Sequence, residues 1–482
     1  MPLTRHATAP DGSQFGHSER AVADRCPGVL RLIEAADGHL ARVRLPGGFV
    51  TAGQLRALAR LAGEMGGGRI ELTSRGNVQL RALAAGAAAR LTSELAAAGL
   101  LPSLEHDRVR NVLASPLAGL DGGPGGDSGT DLSPVVRALD AGLCARLRLA
   151  ELSGRFLFAI DDGRGDVAGL GADVVAVVRP DGACVNGLAV NELAAGGLAA
   201  GAFATRGVGP GAGLSPRGDG RADAIATVML AFAEAFLDER AAHAAAAPAD
   251  GPAQGGPAQG GPAQGGPGHD GPGHDGPGHD SRAWRIADLP GGAERVRAVV
   301  AERFGLTRAT LSGTSAAPAL AASATRPVGI VAGPAGAGGG ERDGPVLDGG
   351  APAVVLLAPL GRLTVAQLSW LAGHAGGRAA RVTPWRSVVL PDQADAAQVL
   401  REAAGLGFGV DASSPWLRVT ACAGQPGCAS ALADVQADAL SLAARWPGRI
   451  VHVSGCARHC GRPAATEVDV TATSEGYQVA GA

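Results

Sequence analysis

The chain has 482 residues and a net charge of −3, with no run of about 18 consecutive apolar residues. That balance argues against bulk nucleic-acid binding and against a membrane-spanning helix, and the length suggests roughly two to four domains. All 42 basic side chains are arginine, a bias that a GC-rich coding sequence explains in large part. Arginine nevertheless suits the gripping of carboxylates through two parallel hydrogen bonds.

The polar start MPLTRHATAPDG lacks an apolar signal segment, so the reducing cytoplasm is the expected compartment and disulfides are not expected. The first organised segment runs from Arg44 to Leu80 and places Thr51 three residues before Gln54. This Thr-x-x-Gln pattern is a capping box, in which hydroxyl and amide satisfy the free donors of a helix start. Leu55, Leu58 and Met65 follow at helical spacing, a Gly cluster ends the helix, and a strand is expected at Ile70 to Thr73.

A segment from Ala358 to Leu390 repeats this pattern, with Thr364 and Gln367 as the cap, Leu368 and Leu371 on the helix, and a strand at Arg381 to Thr383. Each copy reads as one strand–helix–strand half of an α+β sandwich, and the two are expected to pair into one sheet about a pseudo-twofold axis. Such internal symmetry supplies what a homodimer would, so a monomer is expected. The segments at 104–240 and 404–475 read as α/β domains.

Between the copies lie residues 251–280, three GPAQG repeats followed by three GPGHD repeats. This tract cannot bury apolar surface and reads as a flexible linker. Its His269, His274 and His279 are assigned to tandem codon expansion rather than metal binding. Gly-rich stretches at Asp121 to Thr130 and Gly333 to Gly350 read as loops. GVGPGAG at Gly207 to Gly213 superficially matches a dinucleotide fingerprint, but no strand precedes it and a proline interrupts it. It too reads as a loop.

Four cysteines near the C-terminal end carry the sharpest signal: Cys422 and Cys428 form a C-x5-C pair, Cys456 and Cys460 a C-x3-C pair. Four thiolates are what a [4Fe–4S] cubane takes, one per iron. A structural zinc site is the alternative, but it prefers two to four intervening residues in each pair. A helix is expected from Ala429 to Arg445, with Leu432, Val435, Ala439 and Leu442 on one stripe, so that Cys428 would precede a helix N-terminus. A strand at Ile450 to Val453 would deliver the second pair. Cys144 and Cys184 read as buried free thiols, and Cys26 stands apart.

The repeat, ELTSRGNVQL, RNVLASP at Arg110 to Pro116 and the two cysteine pairs together resemble the sulfite and nitrite reductase superfamily. CPGVLR at Cys26 to Arg31, GRFLFAIDDGRGD at Gly154 to Asp166 and APLGRL at Ala358 to Leu363 resemble its precorrin-3B synthase branch. The resemblance covers nearly the whole chain outside the linker. It implies two ferredoxin-like half domains at 20–85 and 325–395, α/β domains at 104–243 and 404–475 with a [4Fe–4S] cluster in the last, and a linker at 244–281.

The activity it implies is hydroxylation of precorrin-3A at C20 with γ-lactone formation, using O2 and electrons formally from NADH, in aerobic cobalamin biosynthesis. The alternative is a sirohaem-dependent sulfite or nitrite reductase, and a more distant one is a non-catalytic cluster protein. Members of the branch are described as holding a further non-haem iron, but no 2-His-1-carboxylate pattern is readable by spacing. The electrons would come from a separate ferredoxin or NADH-dependent flavoprotein.

The resemblance carries the distal-face arginines onto Arg75 and Arg110 as catalytic residues. Arg31, Asn77, Gln79, Asn111 and Arg155 join them as substrate-binding candidates. The structural alternatives are an exposed turn for Arg75, a helix-terminal salt bridge for Arg110 and a strand-surface charge for Arg31. Where sulfite-reducing members place two lysines, this chain has Arg155 and Leu157, which argues against oxyanion reduction. Asp161, Asp162 and Asp166 read as a solvated acidic turn, and His459 as a residue that tunes the cluster by hydrogen bonding.

Overall fold

The computed structural model describes residues 26–121, 130–190, 220–246, 283–309, 327–333 and 351–481. The 207–213 segment, nearly all of the linker, the three linker histidines and most of the two Gly-rich loops lie outside the described residues. Both capping boxes form. Thr51 Oγ1 accepts from Gln54 N at 3.2 Å while Gln54 Oε1 accepts from Thr51 N at 2.9 Å, and Thr364 and Gln367 repeat the same pair of bonds at the same distances. They start helices Ala52–Glu64 and Val365–His374, which pack against each other with Leu55, Leu58, Leu368 and Leu371 in one shared core.

The repeats do not merge into one sheet. Each builds its own antiparallel sheet and lends one short strand to the other. The first sheet runs Ile33–Ala35, Gly38–Val43, Val78–Leu83, Arg69–Leu72, and ends on Arg362–Thr364 from the second repeat. The second runs Gly329–Val331, Ala353–Leu357, Ser387–Leu390, Ala380–Val382, and ends on Phe49–Val50 from the first. A strand edge left open would expose unpaired N–H and C=O groups. The reciprocal exchange closes one edge of each sheet and locks the halves together.

A third sheet, ordered Leu188–Ala189, Gly182–Val185, Val174–Arg179, Phe158–Asp161, Val112–Ala114, packs against helices Ser133–Cys144 and Gly220–Ala246. The second of these helices is buried on nearly all sides from Ala222 to Leu237 and continues, largely exposed, to Ala246, past the expected linker start. Residues beyond the linker return to this core through Ile286, Val296 and Val300. A fourth sheet, Val419–Ala421, Val451–Ser454, Val468–Thr473 and Gly476–Ala480, carries the cysteine loops at the ends of its first two strands.

The helix expected from Ala429 is shorter, Val435–Ala443. Asp434 caps it by accepting from Ala437 N at 3.2 Å, and an Asp cap outcompetes the apolar residues before it as a start. Leu432 therefore leaves the predicted stripe and is 54% exposed on the loop, and Cys428 does not sit at a helix N-terminus.

Candidate iron–sulfur centre and arginine-lined cavity

The loop after strand Val419–Ala421 is tied at both ends of its first cysteine. Cys422 N donates to Val453 O at 3.0 Å, and Gln436 Nε2 donates to Cys422 O at 2.8 Å. Gly455 N donates to Cys422 Sγ at 3.1 Å, the kind of bond that stabilises a thiolate. Close approach is possible because Gly455 lacks a side chain: a Cβ there would meet that of Ala431 at 2.7 Å. Across the second pair, His459 takes a left-handed φ of 49°, and its Nδ1 lies 3.0 Å from Asp469 Oδ2. Arg462 Nε reaches the same oxygen at 3.0 Å.

Burial pushes the Cys422 and Cys460 thiols up, and each is pushed further by its neighbouring cysteines. Thiolates gathered at one site are held by a compensating cation. A lone zinc ion with Zn–S bonds of about 2.3 Å would need sulfurs roughly 3.8 Å apart. Among the described residues, the one group of three His, Cys, Asp or Glu side chains with ligand atoms all within 4.8 Å is Asp161, Asp162 and Asp166. The cysteine sulfurs are thus spread more widely than one zinc ion requires, and the donor set fits a cluster.

All four cysteines line one cavity of about 610 Å³ where the first repeat, the second repeat and the last domain meet. Five arginines share its walls: Arg42, Arg81, Arg386, Arg458 and Arg462. Trp385 and Trp416 add aromatic surface. Across the first sheet runs a row of side chains crossing four strands, Arg42, Gln79 and Glu71 of the first repeat and Arg362 of the lent strand, each in cross-strand register with the next. Arg42 Nη2 donates to Gln79 Oε1 at 3.2 Å, Gln79 Nε2 to Glu71 Oε2 at 3.1 Å, and Arg362 Nη2 to Glu71 Oε1 at 3.2 Å. Arg44, on the same strand face as Arg42, is driven by burial and by Arg42 down to a pKa of about 9.

Of the catalytic and substrate-binding residues nominated by sequence, the cavity wall includes Gln79 alone, and His459, between the second pair of cysteines, lines it too. Arg110 is buried, its fork closed on Asp140 at 2.7 and 2.8 Å and its third nitrogen on Leu100 O at 3.0 Å. That is the salt-bridge reading, with a guanidinium held away from the cavity. Asn77 accepts from Leu45 N at 2.9 Å, and Asn111 donates to Arg108 O and Gly154 O at 3.0 Å each, so both serve buried backbone groups. Arg75 is half-buried and turns its Nη1 to Gly154 O at 3.0 Å, although its neighbour Ser74 does line the cavity. Arg31 and Arg155 are exposed, the latter 6.0 Å from the Trp284 ring.

The acidic group is not a solvated turn. Asp161 is 1% exposed and accepts from the backbone N–H groups of Gly163, Gly165, Val167 and Ala168. Arg164 neutralises Asp162 and Asp121 with paired bonds, and burial raises Asp166 to a pKa of about 7. The group is an internally satisfied loop. Of the five wall arginines, Arg81 carries a local signal, since Asn77, Gln79 and Arg81 alternate with Val78, Leu80 and Ala82 on one strand. Arg42, Arg386, Arg458 and Arg462 lie elsewhere in the chain and outside that pattern.

Residues 33–98 match the nitrite/sulfite reductase ferredoxin-like half domain. A precorrin-3B synthase of Sinorhizobium sp. is 34% identical over 154 residues, 32% of this chain and 31% of that relative. The first repeat is thus similar to the ferredoxin-like half domain of the nitrite and sulfite reductases. A ferredoxin–nitrite reductase of Synechococcus elongatus is 33% identical over 127 residues, 26% of this chain and 25% of that protein. The matched stretches thus span a third or less of these curated relatives. The Mycobacterium tuberculosis NirA protein shares the fold, with a TM-score of 0.57 and 18% identity, over 92% of this chain and 73% of that one. These named relatives are oxidoreductases. No described helix is long and apolar enough to cross a membrane.

Proposed function

We propose that this protein is a precorrin-3B synthase, an oxygen-dependent monooxygenase acting on a polycarboxylated tetrapyrrole. The observation that carries the reading is the single cavity on which four cysteines and five arginines converge. Cys422, Cys428, Cys456 and Cys460 would hold a [4Fe–4S] cluster, whose chemistry when bound is one-electron transfer. Arg42, Arg386, Arg458 and Arg462 present guanidinium groups to substrate carboxylates, and Trp385 and Trp416 offer flat apolar surface to a macrocycle.

In the proposed reaction one atom of O2 enters at C20 and the other leaves as water, with two electrons and two protons consumed. The oxygen atom adds to the carbon–carbon double bond that ends at C20. The ring A acetate carboxylate adds to the other carbon of that bond, so the γ-lactone closes at the expense of the π bond and C20 keeps the hydroxyl. The electrons are proposed to come from a separate ferredoxin or NADH-dependent flavoprotein, and the protein to work as a cytoplasmic monomer. The Sinorhizobium match supports this branch over a sirohaem reductase. So does Leu157, which packs with Leu113, Ala159 and Val167 where sulfite-reducing members carry a lysine.

The test is an anaerobic absorption spectrum with iron and sulfide analysis, followed by incubation with precorrin-3A and isotopically labelled O2. Broad cluster absorbance without sirohaem bands, and a product carrying one labelled oxygen atom, are expected. Sharp sirohaem bands with nitrite or sulfite turnover would replace the reading by an anion reductase. Zinc without iron would remove both.

A further inference from the structure

Arg81 joins two parts of the chain that lie 346 residues apart. It sits on strand Val78–Leu83 of the first repeat, with its side chain 9% exposed. Its Nε and Nη2 close a fork on the two carboxylate oxygens of Asp37 at 3.0 and 2.9 Å. The same Nη2 donates at 2.7 Å to the carbonyl of Gly427, the residue before Cys428. Charge-assisted bonds of this length are among the strong ones.

The contact depends on what stands at 427. A Cβ built on Gly427 would lie 2.9 Å from Arg81 Nη2, so a larger residue would push loop and guanidinium apart. Burial opposes the Arg81 charge, yet the bonds to Asp37 and the attraction of Glu71, Asp37 and Cys428 hold its pKa above the ordinary arginine value. The site therefore contains a permanent cation beside the cysteine loop, balanced by the carboxylate of Asp37.

We propose that Arg81 is a positioning residue for the iron–sulfur centre. It anchors the Cys428 loop to the first repeat, and the Arg81–Asp37 pair sets the reduction potential of the cluster. This rests on the reading of the four cysteines as cluster ligands and not on the reaction assigned to the protein. A nearby positive charge stabilises the reduced, more negative cluster, and a nearby negative charge does the reverse. Arg81→Gln removes the cation and leaves Asp37 and Glu71 facing the loop, so the potential falls. Asp37→Asn leaves the cation less balanced, so the potential rises. Arg81→Lys keeps the charge but loses the fork, and Gly427→Ala keeps every charge but separates the partners.

The experiment is an anaerobic potentiometric titration of the cluster-loaded wild-type protein and these four variants, followed by electron paramagnetic resonance, with the rate of cluster loss to a chelator as a second readout. Arg81→Gln and Asp37→Asn are expected to shift the potential in opposite directions. Arg81→Lys and Gly427→Ala are expected to lose iron several-fold faster with little change in potential. Equal potentials across the charge variants, or shifts of one sign, would overturn the electrostatic role, and wild-type rates of loss in Arg81→Lys and Gly427→Ala would overturn the anchoring role. If Arg81→Gln does not fold, Asp37→Asn decides the sign alone. A wild-type protein that binds no iron would overturn the inference together with the cluster reading. One that holds the cluster but leaves precorrin-3A unchanged would overturn only the proposed reaction.

Discussion

The two repeats share a fold and differ in what one sheet face carries. Nine residues before each capping threonine stand Arg42 in the first copy and Val355 in the second. Six residues after Thr73 and Thr383, whose hydroxyls each accept two backbone N–H groups in the following turn, stand Gln79 and Val389. The cross-strand rows correspond throughout: Arg42, Gln79, Glu71, Arg362 in one sheet, and Val355, Val389, Arg381, Phe49 in the other. The first row faces the cysteine domain across a cavity and links its polar groups by hydrogen bonds. In the second, Val355 and Val389 pack with Leu117 and Leu120, and Arg381 lies 5.1 Å from the Phe49 ring. Duplication preserved the caps, turns and register, and the first copy turns this polar row towards the cysteine cavity while the second contributes Trp385 and Arg386 from the turn before its strand Ser387–Leu390.

The largest expected effect comes from forcing the polar pattern onto the apolar copy. Val389→Arg would bury a cation among Leu117, Leu120 and Val355 without a partner, and should cost more than about 4 kcal/mol in chemical denaturation. A loss under about 1 kcal/mol would mean that this face can open to water. Next, Leu58→Ala and Leu371→Ala empty matched, fully buried positions in the shared core. Each should cost about 3 kcal/mol, and a large inequality in urea midpoints would show that the halves are not held equivalently.

The converse exchange, Gln79→Val, installs the second copy's residue in the first. It should cost only about 1–2 kcal/mol of stability, because Arg42 and Glu71 lose the group between them. Turnover should fall about tenfold or more, an extra 1.4 kcal/mol of barrier. Equal losses in both readouts would make the row structural. Smallest are Thr51→Ala and Thr364→Ala, each expected to lower stability by about 1 kcal/mol through loss of a helix cap. Thermal unfolding of the two variants should give matching shifts.

Features closed over a few residues were legible beforehand. The capping boxes span three residues, the cysteine pairs four and six, and the repeat is a matter of order along the chain, so local chemistry specified them. The four cysteines stood out for the same reason. Arg110 misled because its partner Asp140 lies thirty positions away, and neither residue marks the other in the sequence. Arg75 misled because a turn sets where its backbone goes, while the distant Gly154 carbonyl sets where its guanidinium points.

By itself the sequence determined the helix starts, the two-copy plan and the two cysteine pairs, since each depends on short-range geometry and residue type. Only the tertiary structure decided that the halves exchange strands, that one sheet face is polar while its twin is buried, and that Arg81 meets Gly427. Those outcomes depend on which surfaces come together after folding. Strand pairing, burial and long-range ion pairs are properties of that meeting, and no periodicity along the chain encodes them.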